Sequence, residues 1–269
     1  MSFRKAFLIL TTALLLPLSG CVKADEEYGL FIGLDQPDAE KTSGYKTVVI
    51  EPSVYTSSDI EAMHEEGQTV WGYLDVGSLE EYSSYFEEFK DDALDEYNGW
   101  DGEYWADVTD EEFTEFLTED LADEYAKLGL DGFFLDNFDV YDMYETDEVY
   151  ESLCDVLSRL RQYDLTIVVN GGDVFMTRLL SDKNQSDGTL PDAVNQECVF
   201  TTCESDGTYG TQSDETEQYF KEYLATVKET GIDVYLTEYR ADTELSDEIS
   251  QYCGDNGFAW YNAESRNLD

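Results

Sequence analysis

The chain has 269 residues, 42% of them hydrophobic, with 62 acidic residues against 15 basic ones and a formal net charge of −47. So negative a molecule repels phosphate backbones, which excludes nucleic acid as a partner. One histidine, His64, and five cysteines without a CxxC pair leave no basis for His-dependent triads, HExxH zinc sites or redox motifs.

The N-terminus reads as a targeting segment. Arg4 and Lys5 precede an apolar run, Ala6 to Leu18, that is short for a membrane span. Leu18-Ser19-Gly20-Cys21 resembles a bacterial lipobox, so residues 1–20 are expected to leave and Cys21 to carry lipid. The expected product is an exported protein on the cell surface, in contact with the membrane only through that anchor. Residues 21–27 form a tether. Loss of Arg4 and Lys5 leaves 62 acids against 13 bases, or −49.

From there the pattern is regular. Tyr28 to Leu34 reads as a short extra strand. Eight further strand-like runs follow: 46–51 (KTVVIE), 69–75 (TVWGYLD), 103–107 (EYWAD), 132–137 (GFFLDN), 165–170 (LTIVVN), 193–199 (AVNQECV), 233–238 (DVYLTE) and 257–261 (GFAWY). Segments of helical spacing lie between most of them, as at Ser57–Glu66, Phe113–Leu128, Val149–Leu160 and Tyr219–Val227. Strands alternating with helices argue for a parallel sheet, and eight units for a closed (β/α)8 TIM barrel over residues 28–269 with a short extra N-terminal strand. No strand is followed by the GxGxxG turn that an open dinucleotide-binding sheet needs.

Most runs end on a polar group: Glu51, Asp75, Asp107, Asp136, Asn170, Glu197 and Glu238. In a barrel these ends meet at one mouth, where active sites sit. Trp71, Tyr73, Trp105, Tyr239, Trp260 and Tyr261 are expected near them. Asp136 closes the apolar run Gly132-Phe133-Phe134-Leu135, a costly place for a carboxylate that is neither paired nor working. Carboxylate pairs are what glycoside hydrolysis needs: one donates a proton to the leaving oxygen, the other attacks or activates water. No metal or cofactor is expected. The calcium-loop-like stretch from Asp182 to Gly188 lacks the closing Glu and has its Gly one place late.

Six stretches, WGYLDVGSLEEY from Trp71, YNGWDGEYWADVTD from Tyr97, GLDGFFLDNFDVY from Gly129, VVNGGDVF from Val168, AVNQECVF from Ala193 and VYLTEYR from Val234, run in one order along the chain. Together they resemble the endo-α-1,4-polygalactosaminidase-like glycoside hydrolases, (β/α)8 enzymes that cut galactosamine-containing polysaccharides. Ser83 stands where the family pattern would have Arg. The resemblance implies a catalytic pair on Asp136 and Glu197, from the fourth and sixth strands. Asp136 is assigned as nucleophile and Glu197 as acid/base, with the reverse left open by sequence. It further implies substrate contacts from Asp75, Asn137, Asn170 and Glu238 and stacking by Tyr73, Trp105 and Tyr239, with endo action. Retention of configuration is expected if the carboxyls stand roughly 5–5.5 Å apart, and inversion at about 6.5–9.5 Å.

Two readings of the acidic charge compete: a solvating surface, or an attraction for a polysaccharide made cationic by free amines. A non-catalytic lipoprotein that captures carbohydrate is the alternative to an enzyme, and a monomer is expected. Cys154, Cys198, Cys203 and Cys253 remain after Cys21, and their pairing is open.

Overall fold

The computed structural model describes residues 26–182 and 189–269. The expected leader, Cys21 and most of the calcium-loop-like stretch lie outside them. Eight parallel strands form one sheet, in the order Glu26–Phe31, Tyr45–Ile50, Thr69–Asp75, Gly132–Asp136, Thr166–Asn170, Ala193–Glu197, Asp233–Tyr239 and Ala259–Ala263. The first and last lie against each other and nearly close the ring, with helices packed outside. This is the expected TIM barrel.

The count of eight holds, but its membership differs. The N-terminal strand is the first stave of the barrel rather than an extra. The EYWAD run is the middle strand, Glu103–Ala106, of a separate antiparallel sheet with Ser78–Glu80 and Ala93–Glu96. The reason is the connection. A parallel crossover needs a dozen or more residues, usually a helix. Between Asp75 and Glu103 only Phe86–Phe89 and Lys90–Asp92 coil, too little to return the chain to the bottom of the barrel. The gain of one strand and loss of another cancel, so Asp136 and Glu197 still close the fourth and sixth staves.

Helix ends follow local chemistry. Thr56 caps Ser57–Glu65 in a reciprocal capping box with Asp59, and Gly129, with φ of 97°, ends the helix that finishes at Leu128. The helix Asp147–Leu160 buries Val149, Leu153, Val156, Leu157 and Leu160 against the barrel, the stripe its spacing predicts.

Inside the barrel the side chains change character with height. Trp71, Tyr28 and Tyr235 form an aromatic layer, with Trp71 and Tyr235 centroids 5.1 Å apart. Trp71 occupies space left by Gly132, where a Cβ would lie 2.6 Å from its ring. Above them, Thr237 Oγ1 donates to Asn195 Oδ1 at 3.1 Å. The carboxyls come next, at the mouth. Two insertions wall that mouth: the three-stranded sheet after the third stave, and the hairpin Thr201–Cys203 with Tyr209–Thr211 after the sixth. The first insertion lies so close to the turn after Asp136 that a Cβ on Gly77 would sit 1.8 Å from Asn137 O, so only glycine fits.

Candidate active site

The floor of the mouth is organised by one amide. Asn170 Nδ2 donates to Asp136 Oδ1 at 2.7 Å and to Glu197 Oε1 at 2.8 Å. Laid end to end, those contacts allow the two oxygens at most about 5.5 Å of separation. Asn195 Nδ2 donates to Asn170 Oδ1 at 2.6 Å, which fixes the amide with its nitrogen toward the acids. Thr237, Asn195 and Asn170 thus form a buried chain from three staves ending between the carboxyls.

Each acid has a second set of partners. Asp136 Oδ1 accepts the Asn137 N–H at 2.8 Å, and Tyr73 also bonds the carboxyl. The turn that aims this N–H puts Asn137 in the left-handed region, at φ 62°. Glu197 accepts from the Tyr239 hydroxyl. Burial pushes both acids above the ordinary carboxylate range, and the Asp136 charge pushes Glu197 further. Three donors oppose the rise at Asp136, from Asn170, Asn137 and Tyr73; two do so at Glu197, from Tyr239 and Asn170. One acid therefore favours ionisation and its neighbour favours the proton, the division that acid/base chemistry uses.

A cleft of about 660 Å³ opens over this pair. Of the expected substrate contacts, Tyr73, Asn137, Asn170 and Tyr239 line it with Asp136 and Glu197. Asp75, Trp105 and Glu238 do not. Asp75 is buried behind the lining, where its Oδ1 accepts Asn137 Nδ2 at 3.0 Å and Ser78 N–H at 2.9 Å. Trp105 backs the cleft-lining Tyr97, ring centroids 4.3 Å apart. Glu238 is wholly buried and accepts from the backbone N–H groups of Val199, Phe200 and Thr201, so it clamps the loop beyond Glu197. Trp71 lies deep in the barrel rather than at its mouth, and His64 pairs with Asp131 at 2.9 Å on the outside. Cys154, Cys198, Cys203 and Cys253 are all free thiols.

The sequence reading missed Glu80, Tyr82, Tyr97, Trp100, Glu103, Asp139, Gln196 and Arg266, all in the lining. Arg266 Nη1 and Nη2 donate to Ser205 O at 2.6 Å and Gly99 O at 2.7 Å, while its guanidinium lies 3.9 Å from the Trp100 ring centroid. One side chain near the C-terminus thus ties both insertions together.

Ser78 Oγ lies 2.5 Å from Asp75 Oδ2 and 2.6 Å from Glu103 Oε1. A hydroxyl has one proton to give, so one of these carboxyls must bring its own. Burial, with like charges nearby, raises Asp75 well above its usual range and Glu80 and Glu103 to about 7. The folded state therefore holds protons that the unfolded chain releases near pH 4, and the sign follows. The contribution of these groups is full below that pH and is lost as pH rises through about 7. Melting temperatures at fixed ionic strength should fall from pH 5 to pH 8, and less steeply in Glu103→Gln. A flat or rising profile would count against the proton held at Ser78.

Two carboxyls facing one cleft are the usual equipment for hydrolysis of a glycosidic bond, and the barrel together with a match to a glycoside-hydrolase family makes the protein a glycosidase of the (β/α)8 class. Its residues 27–269 match the model of glycoside-hydrolase family GH114, and the chain belongs to that family. Among solved structures, the glycoside hydrolase domain of PelA from Pseudomonas aeruginosa is similar with a TM-score of 0.75 at 18% identity, over 90% of this chain and 96% of that one. Ega3 from Aspergillus fumigatus, solved with galactosamine, gives 0.67 at 18% identity over 91% and 93%. The alpha-galactosidase TtGalA from Thermus thermophilus gives 0.54 at 12% identity over 88% and 57%. At these identities the likeness is one of fold. The comparison with curated proteins gives no match.

Proposed function

We propose that this glycosidase cuts galactosamine-containing polysaccharide internally, with retention of configuration, as an exported protein held by lipid on Cys21. The observation that carries the reading is the shared amide of Asn170. A gap of at most about 5.5 Å between acid oxygens suits direct attack, which takes about 5–5.5 Å, rather than the roughly 6.5–9.5 Å that an intervening water needs.

Asp136, with more donors and the greater tendency to ionise, attacks the anomeric carbon. Glu197 gives its proton to the departing glycosidic oxygen, so the bond breaks as the ester on Asp136 forms. Glu197, now ionised, takes a proton from water. The resulting hydroxide attacks the anomeric carbon and frees Asp136, leaving the original configuration. Tyr82, Tyr97 and Trp100 on the cleft lining offer flat faces to a chain that extends past the pair, which supports internal cleavage. The galactosamine bound by the similar Ega3 supports an amino sugar as the repeating unit.

The soluble domain beginning after Cys21, given partly deacetylated polygalactosamine, should release a ladder of oligosaccharides detectable by mass. Its kcat/KM should fall as salt rises from about 0.05 to 0.5 M, because screening weakens attraction between an acidic cleft and a cationic polymer. Release of monosaccharide alone would refute internal cleavage. Indifference to salt would refute electrostatic capture.

A further inference from the structure

Beneath the acid pair the barrel interior carries a second polar rung. Asn170, Asn195 and Thr237 come from the fifth, sixth and seventh staves, and all three are buried. Strand register sets Asn170 beside Asn195 and Thr237 beside Glu197. Alternation then stacks Asn195 under Glu197, and Thr237 under Tyr239, on one interior face. Neither Asn195 nor Thr237 lines the cleft.

Every bond in this rung runs the same way. Thr237 Oγ1 donates to Asn195 Oδ1 at 3.1 Å, Asn195 Nδ2 to Asn170 Oδ1 at 2.6 Å, and Asn170 Nδ2 to both acids. The sense of the rung is decided at the Thr237 end. The two amides could turn together and still bond to each other, but Asn170 would then set a carbonyl oxygen against the carboxyls. The Thr237 proton, with no solvent at hand, would lose its acceptor. The hydroxyl thus selects the arrangement in which N–H groups face the acids.

That choice matters because no counter-charge steadies the pair. Among the described residues no Lys or Arg pairs with Asp136 or Glu197. The titratable groups facing them are acids, phenols and thiols. Tyr73 and Asp75 come from the third stave, Glu80, Tyr97 and Glu103 from the inserted sheet, and Asp139 from the turn after the fourth stave. Tyr28 and Tyr239 come from the first and seventh staves, Cys198 and Cys203 from the chain beyond Glu197. None is a cation, so donated hydrogen bonds are what favour an ionised acid here.

We infer that Thr237 and Asn195 are positioning residues for the reaction: they hold the Asn170 amide with its N–H groups toward Asp136 and Glu197, which keeps one acid of the pair ionised. The inference rests on the reading of those two acids as the acting pair. Removing the Thr237 hydroxyl frees both amides to turn. The turned arrangement suits protonated acids, so the pair gives up its first proton at a higher pH.

The test is a carbon-13 NMR titration of the carboxyls in the soluble domain beginning after Cys21, with the two acids assigned from Asp136→Asn and Glu197→Gln. In Thr237→Val, which keeps the shape without the hydroxyl, the first proton of the pair should leave about one pH unit higher than in the wild type. Asn195→Ala should move it at least as far, while Thr237→Ser, which keeps the hydroxyl, should stay within about 0.3 pH unit. Burial holds Glu80, Glu103 and Asp139 up to about 7 whether or not the rung is intact, so they serve as internal references. An unmoved titration in either Thr237→Val or Asn195→Ala, whatever the melting temperature, would overturn the proposal, as would an equal shift in Thr237→Ser. The titration needs no substrate, so kinetics separate the claims. On a galactosamine polymer the acidic limb of kcat/KM against pH should move with the carboxyls. Cleavage by the wild type with unmoved carboxyls in the variants removes the positioning role and leaves the hydrolase. Moved carboxyls without cleavage of that polymer leave the positioning role and remove the substrate.

Discussion

Asp136→Asn and Glu197→Gln should each lower kcat on a galactosamine polymer by about 10³-fold or more while the fold survives. Folding is spared for a geometric reason. In Asp136→Asn the new carbonyl can take the place of Oδ1 and keep the donors from Asn170 and the Asn137 backbone, so charge is lost but position is not. In Glu197→Gln the carbonyl can keep the Asn170 contact, and the new amide can donate to the Tyr239 oxygen in place of accepting from it. Both variants should therefore melt near the wild-type temperature. A steady-state assay of reducing ends, with melting curves as control, decides the matter. Either variant keeping a tenth of wild-type kcat would remove its residue from the chemistry.

Glu238→Gln should cost more stability than either Asp136→Asn or Glu197→Gln. Glu238 Oε1 accepts Val199 and Phe200 N–H groups, each at 3.1 Å. Oε2 accepts Thr201 N–H at 2.9 Å and its hydroxyl at 2.6 Å. A glutamine must turn an NH2 toward one of these sets, so donor meets donor in a site with no solvent. Leaving two or more buried groups unmet costs about 3 kcal/mol, or roughly 10 °C in melting temperature for a domain of this size. Activity should fall as well. Thr201 Oγ1 also accepts the Tyr239 N–H at 3.0 Å, and Tyr239 holds Glu197. Differential scanning calorimetry with a kcat measurement tests both effects, and an unshifted melting temperature would return Glu238 to the role of a sugar contact.

What the sequence made legible follows from how a barrel is built. An acid at the end of an apolar run has few reasons to be there, so Asp136 stood out, and Glu197 and Asn170 occupy equivalent heights on neighbouring staves. Strand position gives height but not facing. Glu238 lies one residue short of the end of its stave, and its neighbours Thr237 and Tyr239 bond to barrel-interior groups, so alternation turns Glu238 outward into the loop it clamps. Trp105 was misplaced with its strand: once Glu103–Ala106 leaves the barrel, it backs a wall rather than facing the mouth. Gln196 faces away from Glu197 along the same stave, and only the shape of the cleft, wrapping over the strand end toward Asp173 and Phe220, brings it to the lining. Arg266 carried no signal at all. Its role depends on two loops meeting near the C-terminus, which no local pattern encodes.

The claim on which the account depends is that Asp136 and Glu197 stand close enough for direct attack, and the configuration of the first product reports it. Proton NMR taken within the first turnovers on a galactosamine oligosaccharide, before the anomers equilibrate, should show the new reducing end with the same anomeric configuration as the bond that was cut. The opposite anomer would mean that water, not Asp136, attacks, and would contradict the arrangement described.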